Sequence, residues 1–172
     1  MTNYNITNNF SYANAAHFAK LSEWAYKDKV NFTKSVKSLG YKDIMFFDKN
    51  GAQAYGIRFK DYVILAFRGT EPTQFSDIKA DLKSWKTHAE TNGSVHAGFK
   101  NELDKIWAPI LTYIQTNKDK PLYITGHSLG AAMATLATSR VQKYSNFRSL
   151  YTYGSPRVGN KRFLTGCSFS HV

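Results

Sequence analysis

The hydrophobic and polar positions change period several times along the chain, and each change predicts an element. From Ser11 to Lys27 the apolar residues Ala15, Phe18, Ala19, Leu21, Ala25 and Tyr26 recur at roughly helical spacing, which predicts an amphipathic helix. Asp43 to Lys60 predicts two strands joined at Asn50-Gly51, a dipeptide that suits the positive φ angles of a tight hairpin. The run Val63-Ile64-Leu65-Ala66-Phe67, inside Asp61 to Thr70, is apolar without alternation, as in a strand covered on both faces. The pattern then turns polar from Glu71 to Gly93, with Ser76 to Trp85 able to form a short amphipathic helix. His96 to Asn117 predicts a longer helix that Pro109 interrupts. Pro121 to Thr125 is a second covered strand, Leu129 to Tyr144 the helix after it, and Ser149 to Gly159 a third central strand.

Strand, helix, strand, helix, strand in the second half predicts parallel βαβ units and an α/β class. In such a sheet the site is expected at the carboxyl ends of the strands. Three ends matter: Phe67-Arg68-Gly69-Thr70, Gly126-His127-Ser128, and Tyr153-Gly154-Ser155-Pro156.

Gly126-His127-Ser128-Leu129-Gly130 carries the clearest chemistry. A serine hydroxyl is a poor nucleophile and needs a base, an orienting acid and donors for the oxyanion. A Gly-x-Ser-x-Gly turn puts such a serine on a sharp strand-to-helix bend with its Oγ exposed. Its glycines leave room for backbone where a Cβ would collide. The following helix aims its free amides and positive dipole end at the same place, so the Leu129 N–H is the natural first oxyanion donor. The bland alternative is a plain strand-to-helix turn. It is disfavoured by the β-branched apolar strand before the motif and the small residues Ala131, Ala132, Ala134 and Ala137 after it. Thr70 is the candidate second donor, from a loop that can reach over the elbow, its hydroxyl adding a hydrogen bond. The alternative, that Arg68-Gly69-Thr70 only starts a loop, stays open on pattern alone.

Composition alters this picture little. The chain has 172 residues, enough for one domain with a core, and is 42% hydrophobic and 15% aromatic, as a folded protein is. Its net charge of +11 is scattered and accompanies no nucleic-acid motif, so no nucleic-acid partner is expected. Basic surfaces also approach anionic lipid head groups. No stretch reaches the roughly 18 apolar residues of a membrane helix. The polar start lacks a leader pattern, and the single Cys167 leaves no internal disulfide. Together these features predict a cytoplasmic location.

Four segments in order give the chain a family likeness: Phe67-Arg68-Gly69-Thr70, His96-Ala97-Gly98-Phe99, Gly126-His127-Ser128-Leu129-Gly130, and Tyr153-Gly154-Ser155-Pro156-Arg157-Val158-Gly159-Asn160. With these it resembles the class 3 lipases, fungal triacylglycerol lipases and their bacterial and plant relatives, over roughly Ser11 to Phe163. The resemblance implies an α/β-hydrolase fold, a mostly parallel central sheet with helices on both faces, and hydrolysis of carboxylic esters of acylglycerols or related lipids. It implies no metal or organic cofactor, and contact with a lipid surface. It makes Ser128 the nucleophile and Thr70 and Leu129 the oxyanion-hole residues. Ser76 to Trp85 takes the place of the family's lid, with Phe75, Ile78, Leu82 and Trp85 on one face; that face packing on the core is an equal alternative. His96 matches a motif histidine that is not the base, and His127 inside the elbow points away from the serine.

The sequence departs from the family after Ser128. The family's chain order is nucleophile, acid, histidine, yet no Asp or Glu follows Ser128 and the one later histidine is His171. The triad Asp and His are thus not present in the chain. The expectation is one domain over residues 1–172, C-terminally incomplete after about residue 163, with 164–172 an atypical tail and impaired catalysis. His171 with Asp77 or Asp81 has no motif support as a substitute. The alternative from another class is a non-catalytic lipid- or partner-binding remnant.

Overall fold

The computed structural model describes residues 6, 10–41, 43–70, 86–142 and 146–167. Helix α1 (Tyr12–Trp24) begins at Ser11, whose Oγ accepts the Asn14 amide at 3.0 Å. That bond satisfies one of the amides a helix start leaves without a partner. Phe18, Leu21 and Ala25 are buried at the predicted spacing. Helix α2 (Lys29–Ser38) is not foreseen by the pattern, because Phe32 and Val36 are its only buried residues. Its local signal is Asp28, whose carboxylate accepts the Asn31 amide at 2.9 Å.

Strands β1 (Asp43–Lys49) and β2 (Ala52–Arg58) form the predicted hairpin, with Asn50 and Gly51 at φ 50° and 84°. β3 (Val63–Phe67) is buried at every position. β4 (Lys86–His88) and β5 (Ser94–His96) make a small antiparallel ribbon that the polar pattern conceals. Helix α3 (Ala97–Thr116) runs through Pro109 as one element, with Pro109 on its exposed side. β6 (Leu122–His127), α4 (Leu129–Val141), β7 (Phe147–Tyr153) and the short α5 (Lys161–Gly166) complete the order.

The main sheet has strand order β1-β2-β3-β6-β7. Its first two pairings are antiparallel and the next two, β3 with β6 and β6 with β7, are parallel. Period-two alternation divides the covered strands between two cores. Val63, Leu65, Phe67, Leu122 and Ile124 face α3 and α4, while Ile64 and Tyr123 face α1 and α2. Helices on both faces of this sheet give the α/β class expected. β7 departs from expectation: it lies at the end of the strand order, with Tyr151 its one buried residue, and it ends at Tyr153 rather than Gly159. The expected lid residues Phe75, Ile78, Leu82 and Trp85, with Asp77, Asp81 and His171, lie outside the described residues.

α4 is buried along its whole length, its alanines letting it sit between the sheet and α3. Burial obliges Arg140, in its last turn, to find partners. Its guanidinium donates to Glu90 at 2.8 Å and Asp104 at 2.5 Å and stacks over Trp107 at 4.8 Å, while Lys100 bridges the same carboxylates. Partial burial pushes both carboxyls up, but the Lys100 and Arg140 bonds outweigh it and hold both below their ordinary values. Cys167 follows α5, buried, with its thiol pushed up to about 11 by burial.

A depressed carboxylate contributes stability above its unfolded value, near pH 4, that is lost as pH falls through the folded value. Thermal melts should therefore show stability falling below about pH 4. Arg140→Ala should cost about 2 kcal/mol near neutral pH, less than for a fully buried pair because both carboxylates reach water, and should flatten that acid dependence.

Candidate active site

The parallel registers bring three strand ends together: Phe67 lies beside Gly126, and His127 beside Tyr153. The segments that leave these ends therefore share one edge of the sheet. Between β6 and α4 stands a single residue, Ser128, at φ 56° and ψ −123°. A left-handed backbone at a residue with a Cβ costs on the order of 1–3 kcal/mol and persists only where its surroundings impose it. Here the Ser128 amide donates to the Tyr153 carbonyl at 3.0 Å, and its own carbonyl accepts the amides of Ala131 and Ala132 at 3.0 and 3.3 Å. Its side chain makes no capping bond to α4.

The flanking glycines are required by close backbone approach. A Cβ on Gly126 would meet the Gly130 carbonyl and the Ala131 amide, and one on Gly130 would meet the Phe67 and Arg68 backbone. The first turn of α4 thus lies hard against the end of β3. Gly69 is equally confined, where a Cβ would strike the Tyr26 hydroxyl and the His127 carbonyl. The segment Arg68-Gly69-Thr70 accordingly passes close to the elbow, and Arg68 is tied back to Gln53 through its amide at 3.0 Å and its guanidinium at 2.8 Å.

A cavity of about 1090 Å³ opens over this edge. Thr70, His127, Ser128, Tyr153 and Gly154 form its floor, and Ala16, Ala19, Lys20, Ser22, Glu23 and Tyr26 its wall. The lining is mostly apolar. Ser128 is 8% exposed, and Leu129 has the same exposure at the first position of α4. An amide in that position has no acceptor within the helix. The Tyr153 hydroxyl donates to the Ala15 carbonyl at 2.5 Å, and burial pushes it up to about 12.

The sequence-predicted residues divide clearly. Thr70 and Ser128 line one cavity and Leu129 adjoins Ser128. His127 is exposed, with Nδ1 bonded to the Tyr26 hydroxyl at 2.8 Å. His96 is not in the lining; it caps α3 by accepting the Gly98 amide at 3.1 Å. The whole α1 wall is missed by the sequence reading, as is Tyr26, since nothing in a core-facing helical pattern marks residues that also border a cavity.

The profile of the family described as Lipase (class 3) matches residues 64–171, more than half of the chain. The chain belongs to the class 3 lipase family. Over 147 residues it is 31% identical to secreted mono- and diacylglycerol lipase A of Penicillium cyclopium, covering 77% of this chain and 45% of that one. Over 73 residues it is 42% identical to secreted mono- and diacylglycerol lipase 1 of Fusarium solani, covering 40% and 22%. Among solved structures, the Rhizomucor miehei triacylglyceride lipase matches with a TM-score of 0.68 at 22% identity, over 86% of this chain and 63% of that one, a likeness of fold. The chain thus spans less than half the length of the curated relatives it matches. These relatives also overturn the cytoplasmic expectation, because they are named secreted lipases and point to an extracellular location. One cysteine and a polar start are compatible with either compartment, which is why composition misled here.

The glycine contacts set a stability prediction. Gly130→Ala meets the Phe67 and Arg68 backbone at the end of β3 and should cost about 3 kcal/mol. The melting temperature followed by circular dichroism should then fall by about 6–12 °C.

Proposed function

We propose that the chain carries the nucleophile half of a lipase-type ester hydrolase site, with Ser128 as nucleophile and Thr70 and Leu129 as oxyanion-hole donors. The observation that carries this reading is a left-handed serine at a helix start, open to a mostly apolar cavity. Ser128 Oγ attacks the ester carbonyl, and the negative charge that develops on its oxygen meets the Leu129 amide and the positive end of α4. Thr70, from the segment held close by Gly69, supplies the second donor. Collapse of the tetrahedral species expels the alcohol and leaves an acyl-enzyme, which water cleaves to release the acid. The substrates are acylglycerols or related lipid esters, a reading supported by the mostly apolar lining and by relatives named for mono- and diacylglycerols.

Activating Ser128 takes a base and an orienting acid. No Asp or Glu follows Ser128, and His17, His88 and His96 lie outside the cavity lining. His127 turns Nδ1 to Tyr26. The described residues by themselves support slow ester hydrolysis, on what the oxyanion donors alone supply. That no Asp or Glu follows Ser128 within these 172 residues also motivates a second reading, a non-catalytic lipid- or partner-binding remnant.

Hydrolysis of p-nitrophenyl butyrate separates the two. Slow turnover above background that Ser128→Ala abolishes is the expected result, and equal rates in both proteins would leave the non-catalytic reading standing. Thr70→Val, which keeps the amide and removes the hydroxyl, should lower kcat at least about tenfold with KM little changed.

A further inference from the structure

Tyr26 lies just past the end of α1, partly buried, with its amide still bonded to the Glu23 carbonyl at 3.2 Å. It borders the cavity, and a phenyl ring would fill that stretch of wall as well. The hydroxyl is what the wall leaves unexplained. It stands 2.8 Å from His127 Nδ1, with the two rings tilted at 60° and their centroids 5.8 Å apart. A phenol both donates and accepts, so this bond holds in either imidazole tautomer. The same hydroxyl lies against Gly69, where a Cβ would collide with it and with the His127 carbonyl. Across the imidazole, a Cβ on Gly154 would come to 3.3 Å from Nε2, so the ring is held between the end of α1 and the end of β7.

One oxygen thus touches both arms that the hydrolytic reading assigns to the oxyanion. The first arm, Arg68-Gly69-Thr70, arrives from β3; the second, His127-Ser128-Leu129, joins β6 to α4. Leu129 is fixed as the first residue of α4, and Arg68 is tied to Gln53. Gly69 and Thr70 have no regular element to hold them. A glycine backbone is conformationally permissive, and here its slot is bounded by the His127 carbonyl and the Tyr26 hydroxyl. Donors stabilise an oxyanion when their spacing is set before the charge develops. Displacements of about 0.5 Å already weaken such a site.

We infer that Tyr26 is a positioning residue: held by His127, its hydroxyl clamps Gly69 against the elbow and so sets the separation of Thr70 from Leu129. The hydroxyl stays on His127 and Gly69 and moves no proton; it acts through the two donors. This gives His127 a task other than that of base. The effect on catalysis rests on the proposed hydrolytic reading, whereas the clamp on Gly69 does not.

Hydrolysis of p-nitrophenyl butyrate and amide hydrogen exchange test the inference together. Losing an oxyanion donor outright costs about 100- to 1000-fold in kcat, so a donor that is merely set loose should cost part of that. Tyr26→Phe, which keeps the ring, should lower kcat about tenfold with KM within about twofold of wild type. His127→Leu should do the same, and the double variant should fall no more than about twofold below either single, because one clamp is removed in all three. Tyr55→Phe is the control: its hydroxyl donates to the Lys27 carbonyl at 3.0 Å, next to Tyr26 but outside the cavity lining. That variant should melt at a lower temperature while its kcat stays within about threefold. Exchange over Arg68 to Thr70 should be at least about threefold faster in Tyr26→Phe than in wild type, and unchanged in Tyr55→Phe. Circular dichroism melts confirm that each variant is folded. Single losses that multiply in the double variant, or an equal fall of kcat in Tyr55→Phe, would overturn the inference. Unchanged kcat and exchange in Tyr26→Phe would overturn it too. Should Ser128→Ala hydrolyse as fast as wild type, the hydrolytic reading fails, and the exchange rates alone decide the clamp.

Discussion

A strand that becomes a helix at a single residue must bring two backbones closer than a pair of Cβ atoms allows. That constraint governs this molecule. β6 leaves the centre of the sheet and α4 starts at once, with Gly126 under Gly130 and Gly130 against the end of β3. Ser128 then has no choice but the left-handed region, and the Tyr153 carbonyl fixes its amide there. The strain is local, while the burial that pays for it extends the full length of α4. Because the first turn of α4 touches β3, the segment after β3 is brought beside the serine by the same contact. Elbow and neighbouring loop are thus one packing problem solved once.

α1 closes the other side, and polar bonds tie it to the sheet near the site. The Ser22 hydroxyl pairs with that of Thr125 at 2.8 Å, inside the buried face. Tyr153 reaches the Ala15 carbonyl, and Tyr26 reaches His127. Around these bonds the packing is aromatic, Phe18 stacking on Tyr151 at 4.7 Å. Aromatic contact alone leaves sliding along a sheet inexpensive; hydrogen bonds at fixed registers remove that freedom and give the cavity a defined wall.

The elbow is legible in sequence because sterics leave few residue choices there: Gly126, Ser128 and Gly130 each answer a backbone demand. The covered strands are legible because Val63 to Phe67 and Leu122 to Thr125 face two cores and cannot alternate. β7 reads as central because Leu150, Tyr151 and Tyr153 are apolar, but strand order depends on pairing partners that a local pattern does not encode. α2 escapes because two buried residues make no stripe, and the β4–β5 ribbon because its residues are polar and its pairing is short. The α1 wall is invisible for a different reason. Ala16 and Lys20 sit on the polar side of an ordinary amphipathic helix, and only the tertiary fold turns that side toward Ser128.

Cys167 gives the molecule a built-in clock. Its thiol is 8% exposed and burial pushes it up to about 11, so in the folded chain it stays protonated and shielded from a reagent. A disulfide reagent in solution therefore reads how often α5 lifts away from the core formed by α3 and α4. One sulfur, set where the last described helix meets that core, converts the opening of this end of the fold into a colour change that needs no added label.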